Sequence, residues 1–145
     1  MSYWDTSALL KLYIAEADSP YFLQLIAGGD EPIVSSAIVT AEILCVLYRK
    51  EQARALKGGG ARRIYGKFSQ DVRTGRILTV PYGRDVEAQA EKLARLVFNR
   101  PRPILIRSLD MIHVSTALSS RARDLVATDR RLREVAVLAG LHVLP

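Results

Sequence analysis

Ile77-Leu78-Thr79-Val80 is a run of apolar and β-branched residues shut in between Gly75 and Pro81, and it has four counterparts in the chain. Tyr3-Trp4, Pro32-Ile33-Val34-Ser35, Leu125-Val126-Ala127 and His142-Val143-Leu144 are as short and nearly as apolar. Strands this short with no alternating polar face belong to a parallel sheet covered on both sides, because each crossover lays a helix over the sheet. The intervening segments have helical periodicity. Asp5-Thr6-Ser7 opens one pattern that continues through Leu9, Leu10, Leu12, Tyr13 and Ile14. Ser19, as N-cap before Pro20, opens a second that stops at Gly28-Gly29. Further helices are predicted over about 36–52, 61–74, 85–99, 108–122 and 130–139. With 145 residues the chain suits one domain, so the expectation is a single three-layer α/β/α sandwich over residues 1–145.

In such sheets, sites form where the carboxyl ends of the strands meet the following helices. Asp5 ends the first strand, Asp129 follows the fourth, and Asp110 lies in the first turn of the helix starting at Ser108. Each is a reasonable helix cap by itself, since an N-terminal carboxylate accepts backbone N–H bonds and meets the positive end of the dipole. Capping does not require all three to gather at one edge. Glu42 is harder to explain as a surface residue: its neighbours at helical spacing are Ile38, Val39, Cys45 and Val46, and its helix offers no cation nearer than Arg49. A carboxylate among apolar neighbours needs a cation, hydrogen bonds or a raised pKa.

Two carboxylates about 6 Å apart repel by roughly 3 kcal/mol at an effective dielectric of 20. Four of them with no cysteine are therefore the donor set of a hard divalent ion, Mg²⁺ or alternatively Mn²⁺. Ser7 and Thr128 flank the acids, either as hydrogen-bonding partners of the carboxylates or of a metal-bound water, or as helix caps. His113, one turn after Asp110, is either packed and hydrogen bonded or an outer partner of the site, and His142 carries no signal.

Charge is unevenly spread. Residues 1–48 hold one Lys against six acids, whereas residues 49–76 hold nine Lys or Arg against two. A basic segment of this kind suggests a polyanionic partner, with Arg62, Arg63 and Lys67 the candidate phosphate contacts. Cys45 has no possible disulfide partner and lies within Ile43-Leu44-Cys45-Val46-Leu47, so it reads as a buried free thiol of a reducing cytoplasm. No apolar run approaches the ~18 residues a membrane span needs, and the first residues lack the basic and apolar regions of a leader.

With these residues placed, the chain resembles the PIN domain, and more narrowly the VapC-type ribonuclease toxins of prokaryotic type II toxin–antitoxin systems. The resemblance spans nearly the whole chain. It rests on Tyr3-Trp4-Asp5-Thr6-Ser7-Ala8-Leu9-Leu10-Lys11-Leu12-Tyr13, on Thr40-Ala41-Glu42-Ile43, on Leu109-Asp110-Met111-Ile112-His113-Val114-Ser115-Thr116-Ala117 and on Thr128-Asp129-Arg130-Arg131-Leu132. It implies a Mg²⁺-dependent endoribonuclease in which Asp5, Glu42, Asp110 and Asp129 match the acidic site, with Asp5 and Asp110 as direct ligands. It also implies a homodimer silenced by a small antitoxin. Leu9, Leu12, Tyr13, Tyr21, Phe22, Leu25 and Ile26, more apolar residues than one face against a sheet requires, suggest where a partner helix would lie. The chain departs from the family pattern in having Ala127 where Thr or Ser is common, and Arg130-Arg131 where many members carry another acid. These departures put a second tightly held metal in question. The alternatives are a PIN-type nuclease of RNA processing or DNA cleavage, and a non-catalytic binding module whose acids only cap helices. An aspartyl-phosphate hydrolase would need a second Asp at position 7, which is serine.

Overall fold

A computed structural model describes residues 1–29 and 31–145. In chain order its elements are β1 (Ser2–Trp4), α1 (Thr6–Leu10), α2 (Ser19–Ile26), β2 (Ile33–Ser36), α3 (Val39–Gln52), α4 (Gly60–Arg73) and β3 (Ile77–Val80). These are followed by α5 (Arg84–Phe98), α6 (Ser108–Ser119), β4 (Asp124–Val126), α7 (Arg130–Leu138) and β5 (His142–Leu144). The strands form one sheet in the order β3-β2-β1-β4-β5, and every pairing is parallel. Tyr3 lies beside Val34 on one side and Leu125 on the other, so β1 is the centre of the sheet.

Alternation along these strands builds two cores. Trp4, Ile33, Ile77 and Val126 face α1 to α4, where they meet Leu9, Phe22, Ile43, Leu47 and Phe68. Tyr3, Val34 and Leu125 face the other way, against Leu93 and Val97 of α5, Val114 of α6 and Val135 of α7. This is the three-layer sandwich expected from the all-apolar strands: apart from the half-buried Ser2, each residue of the central strands is buried, whichever face it takes. Among the described residues no helix is long and apolar enough to cross a membrane.

The strand order also locates a cleft. Connections from β1 run toward β2 and β3, whereas those from β4 run toward β5. The chain therefore winds in opposite directions from β1 and β4, and a crevice opens beyond their carboxyl ends. Asp5 and Asp129 stand at the starts of the two helices that diverge there.

Some local expectations need correction. α1 ends at Leu10, and residues 11–14 turn back on themselves. The N-cap of α2 is Asp18; the Ser19 hydroxyl instead accepts from the Glu16 amide and donates to the Ile14 carbonyl. Cys45 is exposed, not buried. α3 buries Val39, Ile43 and Leu47, a four-residue repeat that turns position 45 to the opposite side. The proposed apolar surplus is also smaller than it looked. Leu9 and Phe22 are core, Leu12, Tyr13 and Ile26 pack against it, and only Tyr21 and Leu25 of that set are exposed, together with Leu23.

Candidate active site

Asp5 leaves β1 with extended backbone and becomes the N-cap of α1, its Oδ1 accepting from the Ala8 amide at 2.9 Å. The Ser7 hydroxyl lies 2.8 Å from both carboxylate oxygens and donates to them. Ser7 Oγ in turn accepts from the Thr128 amide at 3.0 Å, which ties the loop after β4 to the start of α1. Asp5 is 4% exposed, and no cation is in contact with it among the described residues. Burial pushes its pKa above the usual carboxylate range, against the opposing influence of His113 and of the bonds from Ala8 and Ser7.

Glu42, in the first turn of α3, found its partners from across the sandwich. Its Oε2 accepts from Thr6 Oγ1 and from His113 Nε2, the latter at 2.7 Å. His113 is buried in α6, and its Nδ1 lies 2.7 Å from Tyr3 Oη. Tyr3 Oη also accepts from the Ser36 amide at 3.1 Å, so one chain of contacts runs from β2 through Tyr3 and the two ring nitrogens of His113 to Glu42. Burial works to raise the Glu42 pKa, but the bond and charge of His113, with the Thr6 hydroxyl, outweigh it and hold the carboxyl below its ordinary value. The Tyr3 phenol, by contrast, is pushed up, first by burial and then by the Asp5 charge.

Asp110 and Asp129 share one cation. Arg107, the residue before α6, donates from Nε to Asp110 Oδ2 at 2.7 Å and from Nη2 to Asp129 Oδ2 at 3.1 Å. Asp129 also caps α7, its Oδ1 accepting from the amides of Arg131 and Leu132 at 3.0 Å. The Arg107 side chain is 63% exposed, so this bridge is held in a solvent-rich setting and can open at small cost.

All four acids, together with Ser7, Thr128 and His113, line a single cavity of about 690 Å³. Lys11, Arg49 and Arg107 are its cations. Arg62, Arg63 and Lys67 are exposed on α4 and do not line it. Sequence reasoning missed Thr6, Tyr3 and Arg107. For Arg107 a signal existed, since it stands three residues before Asp110, a spacing at which opposite charges meet on a helix. Cys45, Ile38 and Leu109 give the cavity an apolar wall.

By kind, the donors suit a hard divalent cation: four carboxylates, one of them buried without a counter-charge. As the side chains stand, no three His, Cys, Asp or Glu among the described residues are grouped closely enough to hold a metal ion. Two of the four acids, Asp110 and Asp129, are instead engaged by Arg107.

A family model for the PIN domain matches residues 2–138. The chain belongs to the PIN domain family. Its fold is also similar to solved structures that it covers almost end to end. One is the FitAcB complex of Neisseria gonorrhoeae, at 18% identity, with 100% of this chain and 97% of that one aligned and a TM-score of 0.74. A second is VapBC2 of Rickettsia felis bound to a promoter DNA fragment, at 16% identity, 99% and 98% coverage and a TM-score of 0.69. A third is VapC20 of Mycobacterium tuberculosis, described as a Sarcin-Ricin loop cleaving toxin, at 17% identity, 97% and 96% coverage and a TM-score of 0.66. No curated protein matches the chain.

Proposed function

We propose that this protein is the toxin of a toxin–antitoxin pair, a Mg²⁺-dependent endoribonuclease that hydrolyses RNA phosphodiester bonds in the cytoplasm. The observation that carries the reading is Asp5: a carboxylate buried at the sheet's switch point without a cation, in one cavity with three further acids. A pure helix cap needs neither that burial nor that company. Membership of the PIN family and the likeness to toxin complexes support the same conclusion.

Asp5 and Asp110 would hold the Mg²⁺, with Mn²⁺ as a substitute and Glu42 and Asp129 on its outer side. When bound, the ion supplies acidification of a water and neutralisation of charge on the phosphate. Ser7 and the Ala8 amide fix the Asp5 carboxylate in one orientation, so its position is set before substrate arrives. His113 and Thr6 keep Glu42 ionised through Oε2, which leaves Oε1 as the atom able to take a proton from the attacking water. Arg107 faces the cavity mouth as a counter-charge for the phosphate. Arg62, Arg63 and Lys67 would contact more distant phosphates, and the exposed Tyr21, Leu23 and Leu25 would meet a partner helix of a small antitoxin bound to a homodimer.

The test is cleavage of defined RNAs, and of single-stranded DNA beside them, by the purified protein in Mg²⁺ and in EDTA. Cleavage of RNA in Mg²⁺ alone, lost in Asp5→Asn, is expected. Equal activity of Asp5→Asn would overturn the assignment.

A further inference from the structure

Adjoining the acidic cavity, and sharing Arg107 and Asp129 with it, is a second cavity of about 440 Å³ whose other walls are Arg130, Arg131 and Glu134. Charge reverses across the shared wall. The first cavity is lined by five carboxylates against three cations, and the second by three guanidinium groups against two carboxylates. Asp129 has little left to offer there, because Oδ1 already accepts two backbone amides and Oδ2 accepts Arg107. Arg130 and Arg131 are exposed, and among the described residues neither has an ion-pair partner.

Guanidinium groups with uncommitted N–H donors around a concave wall are receptors for phosphate oxygens, which they bind in pairs. The geometry points to a phosphate subsite: the second cavity takes the phosphodiester adjoining the bond that is cut. This inference rests on the nuclease reading above. It resolves an electrostatic difficulty in that reading, since a cleft of carboxylates repels the polyanion it must admit, and an arginine wall at its border supplies the local attraction. The RNA backbone then passes from Arg130 and Arg131, over Arg107, to the acids.

Affinity can be read one phosphate at a time. Oligouridylates from the dinucleotide upward are titrated against the wild type and the Arg130→Ala, Arg131→Ala double variant, with Ca²⁺ replacing Mg²⁺ so that the ligands survive, and at several salt concentrations. In the wild type, one added phosphate should tighten binding about 10-fold, and that step should vanish in the variant while shorter ligands bind equally well. The longer ligands should also lose roughly 0.7 units of salt slope, the value for one phosphate of a single strand. A variant that keeps every step, or loses the same factor at every length, overturns the subsite and leaves the nuclease reading standing. A wild-type protein that binds no oligonucleotide and cleaves no RNA overturns both.

Discussion

Asp5 and Asp124 lie at opposite edges of one sheet, just after β1 and at the start of the adjacent β4, and both expose little surface to solvent. Their surroundings differ in depth, Asp5 being the more deeply enclosed by protein, and in the charge of their partners. At the amino edge, Asp124 accepts from Arg123 Nε at 2.9 Å and lies 2.8 Å from His142 Nδ1. At the carboxyl edge, Asp5 has only neutral donors, Ser7 and the Ala8 amide. Burial acts to raise both carboxyl groups. The Arg123 and His142 bonds reverse it at Asp124, whose pKa falls below the usual range, whereas that of Asp5 rises above it. The same residue type is thus structural at one edge, where it lies near the surface beside two cationic or polarisable partners, and left with an unmet demand for positive charge at the other, where it lies deeper and has none. That demand separates a site from a cap.

The largest effect expected of a single change is at the carboxyl edge. His113→Phe keeps the ring's bulk but removes the hydrogen-bonding partner of both Glu42 and Tyr3, and should cost about 2–3 kcal/mol, the scale for orphaning buried polar groups. Urea denaturation would measure it. The Glu42 carboxyl should return toward its ordinary pKa, visible by NMR titration, and RNA cleavage should fall about 10–100-fold, as expected for a partner that orients a ligand from outside. A loss under 0.5 kcal/mol would show that the Tyr3–His113–Glu42 chain does not hold the site.

Asp124→Asn comes next, at about 1 kcal/mol, because Arg123 and His142 are mostly exposed and solvent weakens both contacts. Its pH dependence sharpens the comparison. The folded pKa of Asp124 lies below the unfolded one, so the stabilisation is full above the ordinary carboxylate pKa of about 4 and is lost as pH falls through the lowered value. The gap between wild type and Asp124→Asn should therefore be widest near neutrality and close in acid. At Asp5 the sign is reversed: ionisation penalises the folded state, and the penalty disappears as pH falls through the raised pKa. Parallel pH–stability curves for Asp5→Asn and Asp124→Asn would break the comparison. The smallest effect belongs to Arg107→Gln, which should change stability by less than about 1 kcal/mol yet lower the Mg²⁺ concentration needed for half-maximal cleavage, since it frees Asp110 and Asp129.

Legibility from sequence followed the range of the interactions. Ile77–Val80 and His142–Leu144 form strands over the expected residues, because local β-branching and the flanking Gly75, Pro81 and Gly140 decide them. Asp5, Asp110 and Asp129 were placed by their position relative to strand ends and helix starts, a matter of a few residues. Glu42 declared a need for a partner without naming it: His113 is 71 residues away, and only the closing of α6 over the sheet brings it near. Tyr3 reads from sequence only as part of a short strand, because nothing local reveals that its hydroxyl reaches Ser36 and His113. Cys45 was misjudged for a related reason. An apolar run on a helix does not say which of its members faces the sheet until the buried repeat Val39, Ile43 and Leu47 sets the phase.

The central claim, that the Asp5 carboxylate is buried uncompensated until a divalent cation meets it, is tested most directly by thermal unfolding of the wild type and Asp5→Asn at pH 7, each in EDTA and in excess Mg²⁺. Without metal, Asp5→Asn should melt higher by roughly 2–8 °C, which corresponds to about 1–2 kcal/mol in a domain of this size. Mg²⁺ should stabilise the wild type by about 2.7 kcal/mol at a hundredfold excess over its dissociation constant, raising its melting temperature, and leave Asp5→Asn unmoved. An Asp5→Asn protein that melts below the wild type in EDTA, or that gains as much from Mg²⁺, would contradict the account.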